Sequence, residues 1–383
     1  MDFALTEEHR QWRASVHAFC AAELQPHAAE FDARAELNAD AVRKMAPLGL
    51  LGMLVPERYG GAELDMLGAA LAVEELGWAC GGTALSVAAH NGLGCGPLVL
   101  FGSETQKQRW LPGLASGETG LGALALTEPG AGSDLNSVQT RAERSGDEWV
   151  IRGSKAWITN VGESSIVTTL CRTRPDAGSH SFSLIVVPLA SRGLHVGPPE
   201  KKMGVRASPT YAITFEDVHV PADHVLGEPG QGLPQTLKVL DGGRISIGAL
   251  SVGLARAAHE ESIRYASERR SFGVPLAEHQ AIQWMIADAT TQIEAARLLV
   301  HKAAWLRDRG QNYTQAAAMA KLLATEMAES VCRNAIQILG SYGYSSEYPV
   351  ERQYRDARLM TIGEGTSEVQ RMVIARRALA TEV

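Results

Sequence analysis

Several functional classes are excluded by what this chain lacks. Its 383 residues hold five cysteines, Cys20, Cys80, Cys95, Cys171 and Cys332, widely spread and without a C-x-x-C pair. Its 11 histidines include no H-E-x-x-H. These spacings argue against a disulfide framework and against a zinc or other metal site. The N-terminal segment mixes Asp2, Glu7, Glu8, Arg10, Arg13 and Glu23 among apolar positions, so neither a secretory signal nor an acid-poor transit peptide is expected. No uncharged apolar run approaches the roughly 18 residues that span a bilayer, since the stretch from Gly81 to Phe101 is broken by glycines, His90 and Asn91. The formal net charge of −7 comes from interspersed acids and bases rather than from tails, and the footprint of a nucleic-acid binder is missing. There is no internal repeat and no low-complexity segment. These absences lead us to expect a cytoplasmic protein with neither a nucleic-acid nor a membrane partner.

What is present suffices for a large globular protein: with 45% hydrophobic residues the chain can bury one large core or two to three modest ones. From Phe3 to about Ser116, Ala, Leu, Glu and Arg recur at three- and four-residue intervals, punctuated by Pro47-Leu48-Gly49 and Tyr59-Gly60-Gly61. The pattern changes after Gly117. Trp149-Val150-Ile151, Ser165 to Cys171, Ser181 to Pro188 and Tyr211 to Phe215 are short β-rich runs between Gly, Pro and Asp turns. Helical spacing returns with Ile282, Met285, Ala289, Ile293, Ala296, Val300 and Ala303, and again with Ala320, Leu323, Met327, Val331, Ala335 and Ile338. Helices, then strands, then helices argue for an α+β protein rather than an alternating βαβ fold. The expected division is residues 1–118 as an N-terminal all-α domain, 119–230 as a middle antiparallel β domain and 231–383 as a C-terminal helical bundle.

Four segments are candidates for chemistry. Gly120, Gly122 and Ala125 fit a loose G-x-G-x-x-A pattern, but no strand clearly precedes it and Thr127-Glu128-Pro129-Gly130 follows in place of a helix, so a Rossmann site is rejected. Thr127 to Asp134 carries glycines that let backbone approach a ligand and hydroxyls that can bond one, although a surface loop has the same composition. Trp157-Ile158-Thr159-Asn160 falls at a strand end, where an indole can stack on a flat ring system; taken alone, a core tryptophan is the simpler reading. Glu364 lies in Gly363-Glu364-Gly365-Thr366-Ser367-Glu368-Val369-Gln370, in which Ser367 and Gln370 match a capping box opening the last helix. A carboxylate there benefits from exposed N–H groups and the positive end of the helix dipole, and an ordinary helix-entry loop accounts for the segment equally.

These segments, with Asp241-Gly-Gly-Arg244, Glu268 to Gly273, Glu278-His279-Gln280, Gln337-Ile-Leu-Gly340 and Tyr354 to Arg358, resemble in their order the acyl-CoA dehydrogenase family over nearly the whole chain. The resemblance implies an N-terminal helical domain, a middle antiparallel β domain and a C-terminal four-helix bundle. It implies FAD-dependent desaturation of an acyl-CoA to a trans-2-enoyl-CoA, with Glu364 as the base. Leu126, Thr127, Trp157 and Thr159 would contact the flavin, and Ser133 the cofactor and the CoA side of the substrate. Arg269, Phe272, His279, Gln280, Gln337 and Gly340 would hold FAD across a subunit contact in a homotetramer or dimer, and Thr366 and Glu368 would complete the cofactor site. Asp241, Arg244 and Gly365 would bind substrate. Isovaleryl-type members carry their base directly before the arginine, where this chain has Gly243, which leaves Glu364 as the one candidate. The base's own N–H and a flavin ribityl hydroxyl would bind the thioester oxygen, and an electron-transferring flavoprotein would reoxidise the flavin.

The segments around Asp241, Lys321 and Glu364 are most similar to short-chain and short branched-chain members, which points to fatty acid or amino acid catabolism. Gly363, where a tyrosine is frequent in the family, together with Gly92 and Gly94, leads us to expect a wider pocket. The absence of Lys and Arg between Gly77 and Gly102 argues against a diacid substrate. The competing readings are a bulkier cyclic or aryl acyl-CoA, a carrier-protein thioester, an oxidase, a monooxygenase or a non-enzymatic binding module. Retention of Glu364 argues against the last two.

Overall fold

The structure, a computed structural model, describes residues 4–174 and 177–380. It begins with α1 (Glu7–Glu23), α2 (Ala28–Arg34), α3 (Ala39–Met45) and α4 (Met66–Ala79). Thr6, Asn38 and Asp65 start α1, α3 and α4 by accepting from the backbone N–H three residues on. Then α5 (Gly81–Ala89), a π turn (His90–Cys95) and α6 (Gly96–Phe101) run on as one rod, and α7 (Glu104–Ser116) opens with a Ser103/Gln106 capping box. The rod corrects one expectation. His90, Asn91 and the glycines do not break it, and its 21 residues are apolar and long enough to cross a membrane. Yet 67% of its apolar 18-residue window is buried inside the protein, the behaviour of a core helix.

The middle third forms one curled sheet from β1 (Ala123–Ala125), β2 (Arg141–Ser145), β3 (Glu148–Thr159), β4 (Ile166–Arg172), β5 (Phe182–Pro188), β6 (Leu194–Pro199) and β7 (Thr210–Pro221). The strand order is β1-β4-β2-β3-β7-β6, with β5 also paired to β4. Pairing is antiparallel except between β1 and β4 and at one β2–β4 bridge. The strands read from sequence, β3, β4, β5 and β7, carry its apolar core, whereas β2 and β6 are mostly solvated and carry little hydrophobic pattern to read. β1 lies inside the Gly120–Ala125 motif and runs into a loop, not a helix.

The last third comprises α8 (Gly232–Glu268), a hairpin of β8 (Arg270–Ser271) and β9 (Val274–Pro275), α9 (Gln280–Asp308), α10 (Thr314–Leu339), α11 (Val350–Met360) and α12 (Ser367–Ala380). α10 packs on α8, α9 and α12, making the four-helix bundle, and α4 packs on α8 and α9 so that the two helical regions share a core. On α10 the apolar stripe holds except at Leu323, which is solvated while Lys321 is buried.

The α4–α8 crossing depends on glycine. A Cβ on Gly253 would lie 2.1 Å from the Glu74 carbonyl oxygen, and one on Gly77 would lie 2.6 Å from that of Leu250. Beside this crossing Glu74 and Glu75 are buried against Arg13, Arg256 and Arg297. Burial alone would raise the Glu75 pKa, but bonds from Arg256, Arg13 and His17 bring it down to about 2. Because backbone faces backbone here, Gly253→Ala is expected to lower stability by about 1–3 kcal/mol, read as a lower urea midpoint.

Candidate active site

Glu364 follows α11 and takes a left-handed backbone conformation, φ +53°, that few side-chain-bearing residues adopt. The bend turns its carboxylate onto α8. A Cβ built on Gly243 would lie 2.0 Å from Glu364 Oε2, so any side chain at position 243 would compete with the carboxylate for the same space. Oε2 is buried and bonded to no protein group, and the Glu364 N–H donates to none among the described residues. Burial pushes the carboxyl up to about 7, against the opposing pull of Lys321 and Arg244.

The loop is held from below. Lys321, fully buried on α10, donates from Nζ to the Gly365 carbonyl (2.8 Å) and not to the carboxylate. Burial lowers its pKa to about 8, although Glu364 favours its charged form. Gln370 Nε2 donates to the Gly365 carbonyl (2.9 Å) and to that of Glu364 (3.4 Å). The helix entry differs from the expected capping box. Thr366 Oγ1 caps α12 by accepting from the Val369 N–H (3.3 Å), while Ser367 Oγ is buried without a partner. Glu368 is exposed in the first helical turn.

About three turns into α8 lies a second buried pair. Arg244 donates to Asp241 (2.5 Å), whose other oxygen accepts from Thr314 Oγ1 (2.6 Å). Arg244 Nε is buried and has no partner among the described residues, a donor left for a ligand.

On the sheet, β3 carries a bulge between Lys155 and Ile158 opposite β7. Within it Trp157 takes φ +62° and turns outward, 58% exposed. The core reading of this tryptophan is therefore wrong, because the bulge moves it to the other side of the pleat. The loop beside it is anchored underneath. Buried Lys155 donates to the Leu126 carbonyl and to Glu128 Oε1 (both 2.9 Å), and Glu128 accepts from the backbone N–H of Gln139 and Thr140 (both 2.8 Å). The Ala156 N–H reaches the Thr127 carbonyl. Leu126, Thr127, Trp157 and Thr159 are thus gathered around one anchored loop and bulge. Ser133 is exposed in the loop that follows, near Gly130 and Gly132, where an added Cβ would meet nothing. An exposed indole over a fixed peptide, with open backbone beside it, fits a flat ring such as an isoalloxazine.

The other expected cofactor residues lie on a different surface. The β8–β9 hairpin packs on α8 and presents Phe272 at its tip, 97% exposed with φ +53°. The ring of His279 lies 6.2 Å from that of Phe272, and the Arg269 guanidinium lies 6.0 Å over the ring of Tyr342. Gln280, Gln337 and Gly340 are exposed around them, Gly340 in a positive-φ helix terminus.

The pocket beside Glu364 differs from expectation in two ways. Gly92 lines it as expected but Gly363 does not; the other bare walls come from Gly96, Gly242 and Gly243. Gly94 serves packing, because a Cβ there would meet the Gly122 backbone at 2.5 Å. Cations also line it, Lys238 from α8 and Arg307 from α9, so the Gly77–Gly102 segment was not the place to look for charge.

Residues that the sequence did not single out for the site are Lys155, which anchors Glu128 of the Thr127–Asp134 segment, and the pocket cations Lys238 and Arg307. A lysine among apolar residues gives no signal until its burial is seen. Lys155→Met would leave the Glu128 carboxylate buried without its cation. We expect a loss of about 3–5 kcal/mol, checked by urea unfolding.

Family models match the described elements in order: the acyl-CoA dehydrogenase N-terminal domain over residues 6–118, the middle domain over 123–218 and the C-terminal domain over 230–379. The chain is 50% identical to the probable acyl-CoA dehydrogenase YngJ of Bacillus subtilis over 99% of its own length and 100% of that protein. It is 44% identical to the mitochondrial short-chain specific acyl-CoA dehydrogenase of Bos taurus, over 98% and 91%. The butyryl-CoA dehydrogenase structure from Megasphaera elsdenii superposes with a TM-score of 0.96 at 39% identity, over 99% of this chain and 100% of that one. The chain belongs to the acyl-CoA dehydrogenase family.

Proposed function

We propose that Glu364 is the base with which this FAD-dependent enzyme removes the α proton of a short-chain acyl-CoA. The observation that carries the reading is a buried carboxylate with an unbonded oxygen and a pKa raised to about 7. An α C–H of a thioester is a weak acid, so the base must be stronger than an ordinary glutamate and shielded from water. The Glu364 N–H, without an acceptor among the described residues, would donate to the thioester oxygen as negative charge develops there. FAD supplies the acceptor for the β hydride. Leu126, Thr127, Trp157 and Thr159 would hold its ring and Arg244 with Asp241 the thioester's CoA arm, leaving a trans-2-enoyl-CoA.

The short-chain assignment draws on the relatives, among them a short-chain specific and a butyryl-CoA enzyme. They do not favour a bulkier acyl group, a carrier-protein thioester, an oxidase or a monooxygenase. The second cofactor surface, Arg269, Phe272, His279, Gln280, Gln337 and Gly340, would serve a neighbouring protomer together with Thr366 and Glu368. Exposed Phe272, Trp284 and Tyr344 support a homotetramer or dimer built through that face. We further infer domains at 1–118, 119–230 and 231–383, a cytoplasmic location and an electron-transferring flavoprotein as acceptor.

The pH dependence follows from the raised carboxyl. Below about 7 Glu364 holds its proton, so the rate of flavin bleaching by butyryl-CoA without oxygen should climb roughly tenfold per pH unit and level off above that value. The same shift means that this group's contribution to stability falls as pH rises from the unfolded value of 4.5 through about 7. Glu364→Gln should retain FAD and lose bleaching by about 1,000-fold or more. Bleaching at the wild-type rate would refute the assignment.

A further inference from the structure

The pocket beside Glu364 carries positive charge that proton removal does not use. Consecutive positions on α8 mark its two chemical ends. Gly243 is bare against the Glu364 carboxylate, and a Cβ on its neighbour Gly242 would lie 3.0 Å from Nη1 of Arg307. Arg307 is half-buried at the end of α9. Its Nη1 donates to the Met66 thioether sulfur (2.7 Å), a weak acceptor. No carboxylate among the described residues pairs with it. The adjacent Asp308 accepts instead from the Met66 and Leu67 backbone N–H groups (2.7 and 3.2 Å).

Lys238 lines the same pocket, also without a carboxylate partner among the described residues, and its Nζ lies 4.8 Å over the ring of Tyr313. Asp241, one helical turn on, is already engaged by Arg244 and Thr314. Two cations therefore converge on a pocket whose nearby carboxylates are either occupied or needed as the base. A guanidinium and an ammonium held this way are matched by a carboxylate or a phosphate, which Arg binds through paired N–H donors.

We propose that Arg307 and Lys238 form an anion subsite for the thioester substrate, deepening the acyl-CoA reading and resting on it. The anionic group has two possible sources with one chemistry: a carboxylate at the far end of a short acyl chain, or a phosphate of the CoA. A distal carboxylate would bring a diacid thioester into the substrate range. A phosphate would make Arg307 and Lys238 part of the CoA clamp that Arg244 begins.

The test uses the full-length, FAD-loaded enzyme, wild type, Arg307→Leu and Lys238→Met, with butyryl-CoA, glutaryl-CoA and butyryl-pantetheine. The half-saturating concentration for anaerobic flavin bleaching and the dissociation constant by calorimetry are both measured. An anion subsite predicts that each variant raises both by about tenfold or more for substrates carrying the bound anion. If the subsite binds phosphate, both CoA esters weaken and the pantetheine ester is unchanged. If it binds a distal carboxylate, glutaryl-CoA alone weakens. Unchanged values for all three substrates in variants that still bleach would overturn the subsite and leave the dehydrogenase reading standing. If no thioester bleached or bound to the wild type, both would fall. Should Arg307→Leu not fold, Arg307→Gln and the exposed Lys238→Met carry the same comparison.

Discussion

One close approach organises the active region: the Glu364 carboxylate lying against α8 where Gly243 has no side chain. It requires a left-handed residue at 364, a bare position on the facing helix and a fixed peptide after the turn. Lys321 supplies the last of these by donating one of its N–H bonds to the Gly365 carbonyl. The ammonium thus stays near the carboxylate without bonding it. Its field keeps the pKa from rising further with burial, while the carboxylate oxygen remains free to take a proton.

The proposed cofactor side uses the same device. Lys155 is buried under an irregular loop, pairs with Glu128 and fixes the Leu126 carbonyl, and the bulge above it turns Trp157 out of the core. Asn160 at the end of β3 reaches the Ser86 carbonyl, and His90 on the π turn accepts from the Gly122 N–H and binds the Leu51 carbonyl. Burial lowers the His90 pKa to about 4, so the ring is neutral and can accept and donate at once. These contacts join sheet and helices, so that the Thr127–Asp134 loop and the Glu364 loop belong to one packed body.

Periodicity revealed the elements that bury a regular apolar face. The stripe from Ala289 to Ala303 on α9 is buried as read, and so are β4 and β5. It could not reveal β2 and β6, which face water, nor the bulge at Trp157, which depends on the register of a strand fifty or so residues away. Glu364 alone was an acid in a helix-entry loop, and only its order among other segments gave it chemical meaning. Lys155, Lys321 and Arg307 act through burial or placement, and a lysine or arginine in sequence reads as surface. The pocket was misjudged for a related reason. Its glycines and cations come from α8 and α9 as well as the α5–α6 rod, and only the packed structure brings them to one wall.

The most direct test of the account is the protonation midpoint of Glu364 in the free enzyme, followed by infrared difference spectroscopy of its carboxyl band with Glu364→Gln as the blank. A midpoint near 7, moved higher in Lys321→Met, is what a buried base restrained by the Lys321 ammonium together with Arg244 requires. A midpoint near the ordinary 4.5, or one indifferent to Lys321, would mean that the carboxylate is solvated and that neither Gly243 nor Lys321 sets its basicity.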